Sequence, residues 1–193
     1  MMKPKVVVIG GPTASGKTAL SIELAKVING EIVSADSMQI YKDMDIGTAK
    51  PKAEEMQGIK HYMLDFVSPE ERFSVSEYVK QATKCIEEIL SKGKAPIVVG
   101  GTGLYIDSLI YGIDFPEIEI DEEYRKSLEK QADEQGLDTL YEMAYEIDPE
   151  AMEKISRNDR KRIIRVLEIY KQTGKTKTQI EQETKQKELE YDY

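Results

Sequence analysis

Short apolar runs alternate with amphipathic stretches through the first hundred residues, which is the pattern of parallel strands joined by helices. KVVVIG (residues 5–10) predicts a buried strand, and a helix follows from Lys17 to Ile28 with Leu20, Leu24 and Val27 at helical spacing. EIVSAD (31–36) predicts the next strand, so the chain opens with a βαβ unit. Residues 37–60 contain Gly47, Pro51 and Gly58 with little periodicity, and predict a long loop with a short helix. HYMLDF (61–66) predicts a third strand. Ser74 and Glu77 have capping-box spacing, and the helix they open should run to about Ser91 before Gly93 stops it. APIVVGG (95–101) predicts another buried strand.

Beyond Pro116 charged residues recur at helical spacing and no apolar run resembles a strand, so residues 121–193 predict an all-helical subdomain. Its firmest element starts at Asn158 and ends near Thr173, with Gly174 as a left-handed cap. The final KQKELEYDY (185–193) offers no cap or closing element, as expected of a piece cut from something longer. The expected organisation is an α/β core over residues 1–115 and a helical domain over 116–193.

Composition narrows the class. With 193 residues, 40% of them hydrophobic, the chain can close one ordinary core plus an appendage. No run reaches the roughly 18 apolar residues of a membrane span, and the start lacks the pattern of a signal peptide, so a cytoplasmic protein is expected. Cys85 is the only cysteine and His61 the only histidine, which excludes an internal disulfide and disfavours a structural zinc site. Cys85, among Ile86, Ile89 and Leu90, reads as packing; His61, Tyr105 and Tyr111 also read as structural. The net charge of −9 argues against nucleic-acid binding by the whole surface. One segment departs from it: RNDRKRIIR (157–165) holds five positive residues and one Asp, a local +4.

The strongest chemical signal is GPTASGKT: Gly11, Pro12, Thr13, Ala14, Ser15, Gly16, Lys17 and Thr18. It matches the P-loop pattern and stands between a predicted strand and a predicted helix, where such a loop works. Its backbone N–H groups form a nest for phosphate, the helix dipole adds positive potential, and Lys17 supplies a point charge. The Thr18 hydroxyl is the candidate Mg²⁺ ligand. Asp36, just past the second strand, can take a proton or hold a metal-bound water, or simply cap the following turn. VVGGTGLY (98–105) offers glycines for close backbone approach and the Thr102 hydroxyl at another strand end.

Taken with SADSMQIY (34–41), MDIGTAKP (44–51), HYMLD (61–65) and NDRKRIIRVLE (158–168), these segments resemble the tRNA dimethylallyltransferases along the whole chain. The resemblance implies a P-loop NTPase-like parallel sheet flanked by helices, with an all-helical inserted subdomain. It implies transfer of a dimethylallyl group from dimethylallyl diphosphate, held by the P-loop with Mg²⁺, to N6 of the adenosine 3′ of the anticodon. The substrates would be tRNAs reading codons that begin with U, bound through the anticodon stem-loop by a cytoplasmic monomer. Asp36 matches the general base; Asp36, Ser37, Met38 and Gln39 match a tRNA-contacting stretch; Thr102 matches a contact near the reacting base. Lys161, Arg162, Ile163, Ile164 and Arg165 match a second tRNA-contacting stretch, and Arg125 an isolated contact. Members of that family are longer than this chain, and their C-terminal part supplies further tRNA contacts and a catalytic arginine, so a truncated enzyme is expected.

Two rivals share the loop: a prenyltransferase acting on free adenine nucleotides, and a P-loop kinase in which ATP fills the nest and Asp36 activates a hydroxyl. A switch protein is disfavoured because the N-K-x-D guanine-recognition signature is absent. For the helix carrying residues 161–165, the alternative to RNA contact is a solvated face paired with nearby carboxylates.

Overall fold

The computed structural model describes residues 3–113, 121–185 and 189–193. They form two compact units: one from residues up to Ile113 together with the C-terminal residues 189–193, and a second formed by the intervening chain.

The first unit is built on a four-stranded, all-parallel sheet of β1 (Val7–Gly10), β2 (Gly30–Ser34), β3 (His61–Tyr62) and β4 (Ala95–Gly100), in the order β1-β4-β2-β3. Strand side chains alternate between faces, and both faces are buried. Ile32, Ile97 and Val99 pack against α1 (Lys17–Ile28), while Val33 and Val98 join Tyr78, Ala82, Ile86 and Ile89 of α3 (Val75–Ser91). The short α2 (Ala53–Met56) lies in the long loop, and α4 (Gly103–Ile110) follows β4 directly. Tyr105 of α4 stacks on Tyr78 with ring centroids 4.1 Å apart, in the core role expected of it. Tyr111, also expected there, is exposed. Ser74 and Glu77 form the expected capping box at the start of α3.

Three expectations are corrected here. The apolar residues Leu20 and Val27 of α1 are 60% and 83% exposed, and the helix buries Ser21, Ile22 and Ala25 instead. The third strand stops after two residues, because Met63 and Asp65 adopt positive φ angles of 61° and 55° that end an extended run. The C-terminal tail does find a partner: the amide of Val6 donates to the Asp192 carbonyl and that of Asp192 to the Pro4 carbonyl, both at 2.9 Å, and Tyr191 is buried in the first core. The expected 116–193 domain therefore loses its last residues to the first unit; its start at 115/116 lies outside the described residues.

The second unit consists of α5 (Glu122–Gln135), α6 (Leu137–Ile147), α7 (Pro149–Met152), α8 (Arg160–Thr173) and α9 (Lys177–Lys185). Leu128, Leu140, Met152, Ile163 and Leu167 fill its core. Asp159 caps α8 by accepting from the Arg162 amide, and Gly174 ends it at φ 67°, the left-handed cap that the sequence predicts. Among the described residues no helix is long and apolar enough to cross a membrane.

Candidate functional site

The C-terminal ends of β1, β2 and β4 meet at one edge of the sheet, where open α/β folds place their sites. β1 leads into the P-loop, whose chain turns through left-handed conformations at Ala14 (φ 63°) and Gly16 (φ 83°) before α1 begins at Lys17. The Lys17 ammonium folds back over this loop, donating to the Pro12 carbonyl and lying 3.4 Å from the Ser15 hydroxyl. The loop is held to β4 by the Gly11 amide, which donates to the Gly100 carbonyl at 3.3 Å.

β2 ends at Ser34, two residues before the expected Asp36, so the carboxylate sits on a turn beyond the strand. Its Oδ1 accepts from the amides of Met38 (2.9 Å) and Gln39 (3.3 Å). The turn-capping role is thus real, and Oδ2 lies outside those two bonds. Thr102 locks this turn to β4: its amide donates to the Ala35 carbonyl at 3.1 Å, and its Oγ1 accepts from the Ser37 amide at 2.9 Å. Gly100 permits the approach, because a Cβ there would stand 2.1 Å from the Ala35 carbonyl oxygen. Burial, reinforced by neighbouring Tyr41, Glu77 and Asp36, pushes the Tyr105 hydroxyl up to about 12. Tyr105 therefore stays neutral in the core.

An open cleft joins these parts. Thr13, Lys17, Thr18, Asp36, Gln39 and Gly101 line it, and Ile32, Leu64 and Val99 give it an apolar side. His61, read from the sequence as structural, also lines it; burial lowers the pKa of its imidazole, partly countered by the 2.9 Å contact between Nδ1 and the Ile59 carbonyl. A phosphate group on the loop would find amides, the Lys17 ammonium and the Thr18 hydroxyl, with a carboxylate facing them. Among the described residues no group of three or more His, Cys, Asp or Glu could hold a metal. A Mg²⁺ carried by phosphate oxygens, one hydroxyl and waters needs no such group, so these residues fit that ion.

The sequence did not reveal Lys50. Its side chain is 5% exposed, pairs with Asp45 at 2.7 Å and with Asp65, and donates to the Tyr41 carbonyl at 2.8 Å. Burial alone would lower its pKa, but the hydrogen bonds with Asp45 and Asp65 outweigh burial and raise it. The clamp ties down the segment whose Thr48 and Ala49 line the cleft, and Gln39 braces it by donating to the carbonyls of Thr48 and Ala49 at 3.0 and 3.1 Å. MDIGTAKP holds the lysine, yet its partner Asp65 lies 15 residues on, a spacing with no local signature.

The second candidate cluster, on α8, divides. Lys161, Arg162 and Arg165 reach the surface of the second unit, whereas the side chains of Ile163 and Ile164 are in its core and are unavailable to a ligand. Arg157 and Arg160 are engaged, with Glu142 at 2.8 Å and Asp133 at 2.7 Å, so part of the local +4 is neutralised. Arg125 makes a two-pronged pair with buried Glu168, Nε to Oε1 at 2.7 Å and Nη2 to Oε2 at 2.8 Å. Cys85 is half-buried at the edge of the first core, and burial pushes its thiol up, in keeping with packing.

Comparison with known proteins assigns the chain to a family. The chain is 61% identical over 170 residues to the tRNA dimethylallyltransferase of Acetivibrio thermocellus, covering 88% of this chain and 54% of that protein. It is 54% identical to the one from Bacillus cytotoxicus, covering 98% of this chain and 60% of that protein. The crystal structure of full-length tRNA isopentenylpyrophosphate transferase from Bacillus halodurans matches with TM-score 0.60 and 47% identity, over 90% of this chain and 57% of that one. A eukaryotic dimethylallyltransferase acting on tRNA matches with TM-score 0.75 and 33% identity, over 98% of this chain and 46% of that one. The chain therefore spans little more than half the length of the curated relatives it matches. The family model described as IPP transferase matches residues 39–193, four-fifths of the sequence, and the chain belongs to that family.

Proposed function

We propose that this chain carries the donor site and part of the RNA-binding surface of an enzyme that prenylates tRNA. The donor is dimethylallyl diphosphate and the acceptor is N6 of the adenosine 3′ of the anticodon, in tRNAs that read codons beginning with U. The observation that carries this reading is a cleft lined both by Thr13, Ala14, Lys17 and Thr18 of the loop and by Asp36, with Thr102 bound to the turn that presents the carboxylate.

The diphosphate lies on the loop, where amides, Lys17 and the helix dipole stabilise the charge that grows as the allylic C–O bond breaks. Mg²⁺, when bound beside Thr18, neutralises further charge on those oxygens. The lone pair of N6 forms the new C–N bond, the C–O electron pair leaves with the diphosphate, and the surplus N6 proton passes to the Asp36 carboxylate. A positioned base of this kind is worth about 10²–10⁴-fold. Ile32, Leu64 and Val99 offer the hydrocarbon an apolar wall. The acceptor base leaves its stack to reach the cleft, aided by the loop of residues 36–39. Lys161, Arg162 and Arg165 supply phosphate contacts on the second unit. An enzyme of this kind acts in the cytoplasm as a monomer.

The test is transfer of labelled dimethylallyl groups from the diphosphate to bulk tRNA, by this chain and by a version extended to the length of its relatives. Label recovered on adenosine supports the reading, and label with the extended version only would show that the rest of the protein is needed for turnover. No label on RNA from either, alongside ATP-dependent phosphorylation of a small acceptor, would replace it with the kinase reading.

A further inference from the structure

Glu168 of α8 is a buried carboxylate of the helical unit, and it pairs with basic residues of both α5 and α8. Its side chain is 1% exposed. A buried carboxylate loses its hydration, and an apolar residue of the same volume generally serves stability as well or better. Here both oxygens are engaged. Oε1 and Oε2 receive Nε and Nη2 of Arg125, and Oε2 also lies 3.4 Å from Nη1 of Arg165. The two guanidiniums come from different helices, α5 and α8, and share one oxygen. Neither is buried with its partner: their side chains remain 27% and 40% exposed, and Nη1 of Arg125 lies outside the pair.

We propose that Glu168 is a positioning residue: it aligns Arg125 and Arg165 as one two-pronged clamp for neighbouring phosphates of an RNA strand. The inference rests on the reading of this unit as an RNA-binding surface. Arginine recognises phosphate through a planar fork whose direction matters, and a fork already fixed by a carboxylate loses its side-chain freedom on folding rather than on binding. The arrangement leaves one net positive charge on two partly exposed guanidiniums.

The sign of one substitution tests this. Glu168→Gln removes a negative charge from beneath the RNA surface, so charge alone predicts tighter binding. Positioning predicts weaker binding of bulk tRNA to the full chain, by about tenfold, and a salt dependence of log K shallower by about one phosphate contact. Folding is followed by circular dichroism. Because Glu168→Gln could unfold the unit by stranding Arg125, the double variant Arg125→Gln/Glu168→Gln is measured beside Arg125→Gln. If Glu168 acts through Arg125 as well as Arg165, adding Glu168→Gln to Arg125→Gln costs less affinity than Glu168→Gln costs in the parent, because only Arg165 is then left to lose its alignment. Weaker binding by Arg165→Gln together with unchanged or tighter binding by a folded Glu168→Gln would overturn the positioning role. Failure of the unsubstituted chain to bind tRNA, or indifference of that binding to Arg165→Gln, would instead remove the RNA reading on which the role rests.

Discussion

The amide of Ser37 donates to Oγ1 of Thr102 across 65 residues of sequence, and the 2.9 Å bond joins the turn carrying Asp36 to the end of β4. The carboxylate's position is thus set by a strand from elsewhere in the chain. Replacing Thr102 by Val keeps the shape and removes the acceptor. The expected cost is about 1 kcal/mol of stability, with a fall in transfer rate well beyond what that loss explains. Thr102→Ser should restore both. The urea midpoint and the single-turnover rate check the two effects separately.

Gly100→Ala should be among the most damaging single changes in the first unit. The added methyl would sit 2.1 Å from the Ala35 carbonyl oxygen, where strand pairing leaves the backbone no room to yield. Overpacking of this kind costs about 1–3 kcal/mol or more. A denaturation midpoint equal to that of the parent would show that the strand ends can separate without loss.

Asp36→Asn retains an oxygen to accept from the Met38 and Gln39 amides, so the turn should survive. The base is lost, and turnover of the enzyme at relatives' length should fall by about 10²–10⁴-fold. Calorimetric binding of the diphosphate donor should be unchanged. A variant with normal turnover would remove Asp36 from the chemistry.

The α8 cluster should split by face. Ile163→Ala opens the core of the second unit and should cost about 2–5 kcal/mol. Lys161→Ala, at the surface, should stay within about 0.5 kcal/mol of the parent while weakening tRNA binding. Thermal unfolding and a binding titration on the same samples separate the two. Equal effects of both changes on stability would contradict the packing described.

His61 sets a direction for pH. Burial holds its pKa below the unfolded value of 6.5, so between the two values the unfolded chain binds more protons than the folded one. The contribution is therefore fully present above about pH 6.5 and declines as pH falls through that window. Melting temperatures at pH 7.5 and 5.5 should differ less for His61→Gln than for the parent.

Where sequence reading succeeded, the structure is local. The turn between β1 and α1, the Ser74–Glu77 capping box and the Gly174 cap each depend on residues a few positions apart, whose backbone and side-chain chemistry is local. Where it failed, the deciding partner is remote. Leu20 and Val27 have helical spacing, but spacing states only that residues share a face; the sheet beneath α1 selected Ser21, Ile22 and Ala25. Ile163 and Ile164 stand within a string that is basic in sequence, and the fold sends them inward while Lys161 and Arg162 stay outside. Lys50 and Glu168 carry no signal as single letters, because a buried charge is defined by what surrounds it.

By itself, then, the sequence determined the strand–loop–helix opening that carries residues 11–18, the alternation of strands and helices in the first unit, and the helical character of the second, since each follows from contiguous residues. The tertiary structure decided that β4 lies between β1 and β2. That order alone brings Gly100 and Thr102 against the Asp36 turn and beside the P-loop, because parallel strands pair through backbone bonds between segments that share no sequence pattern.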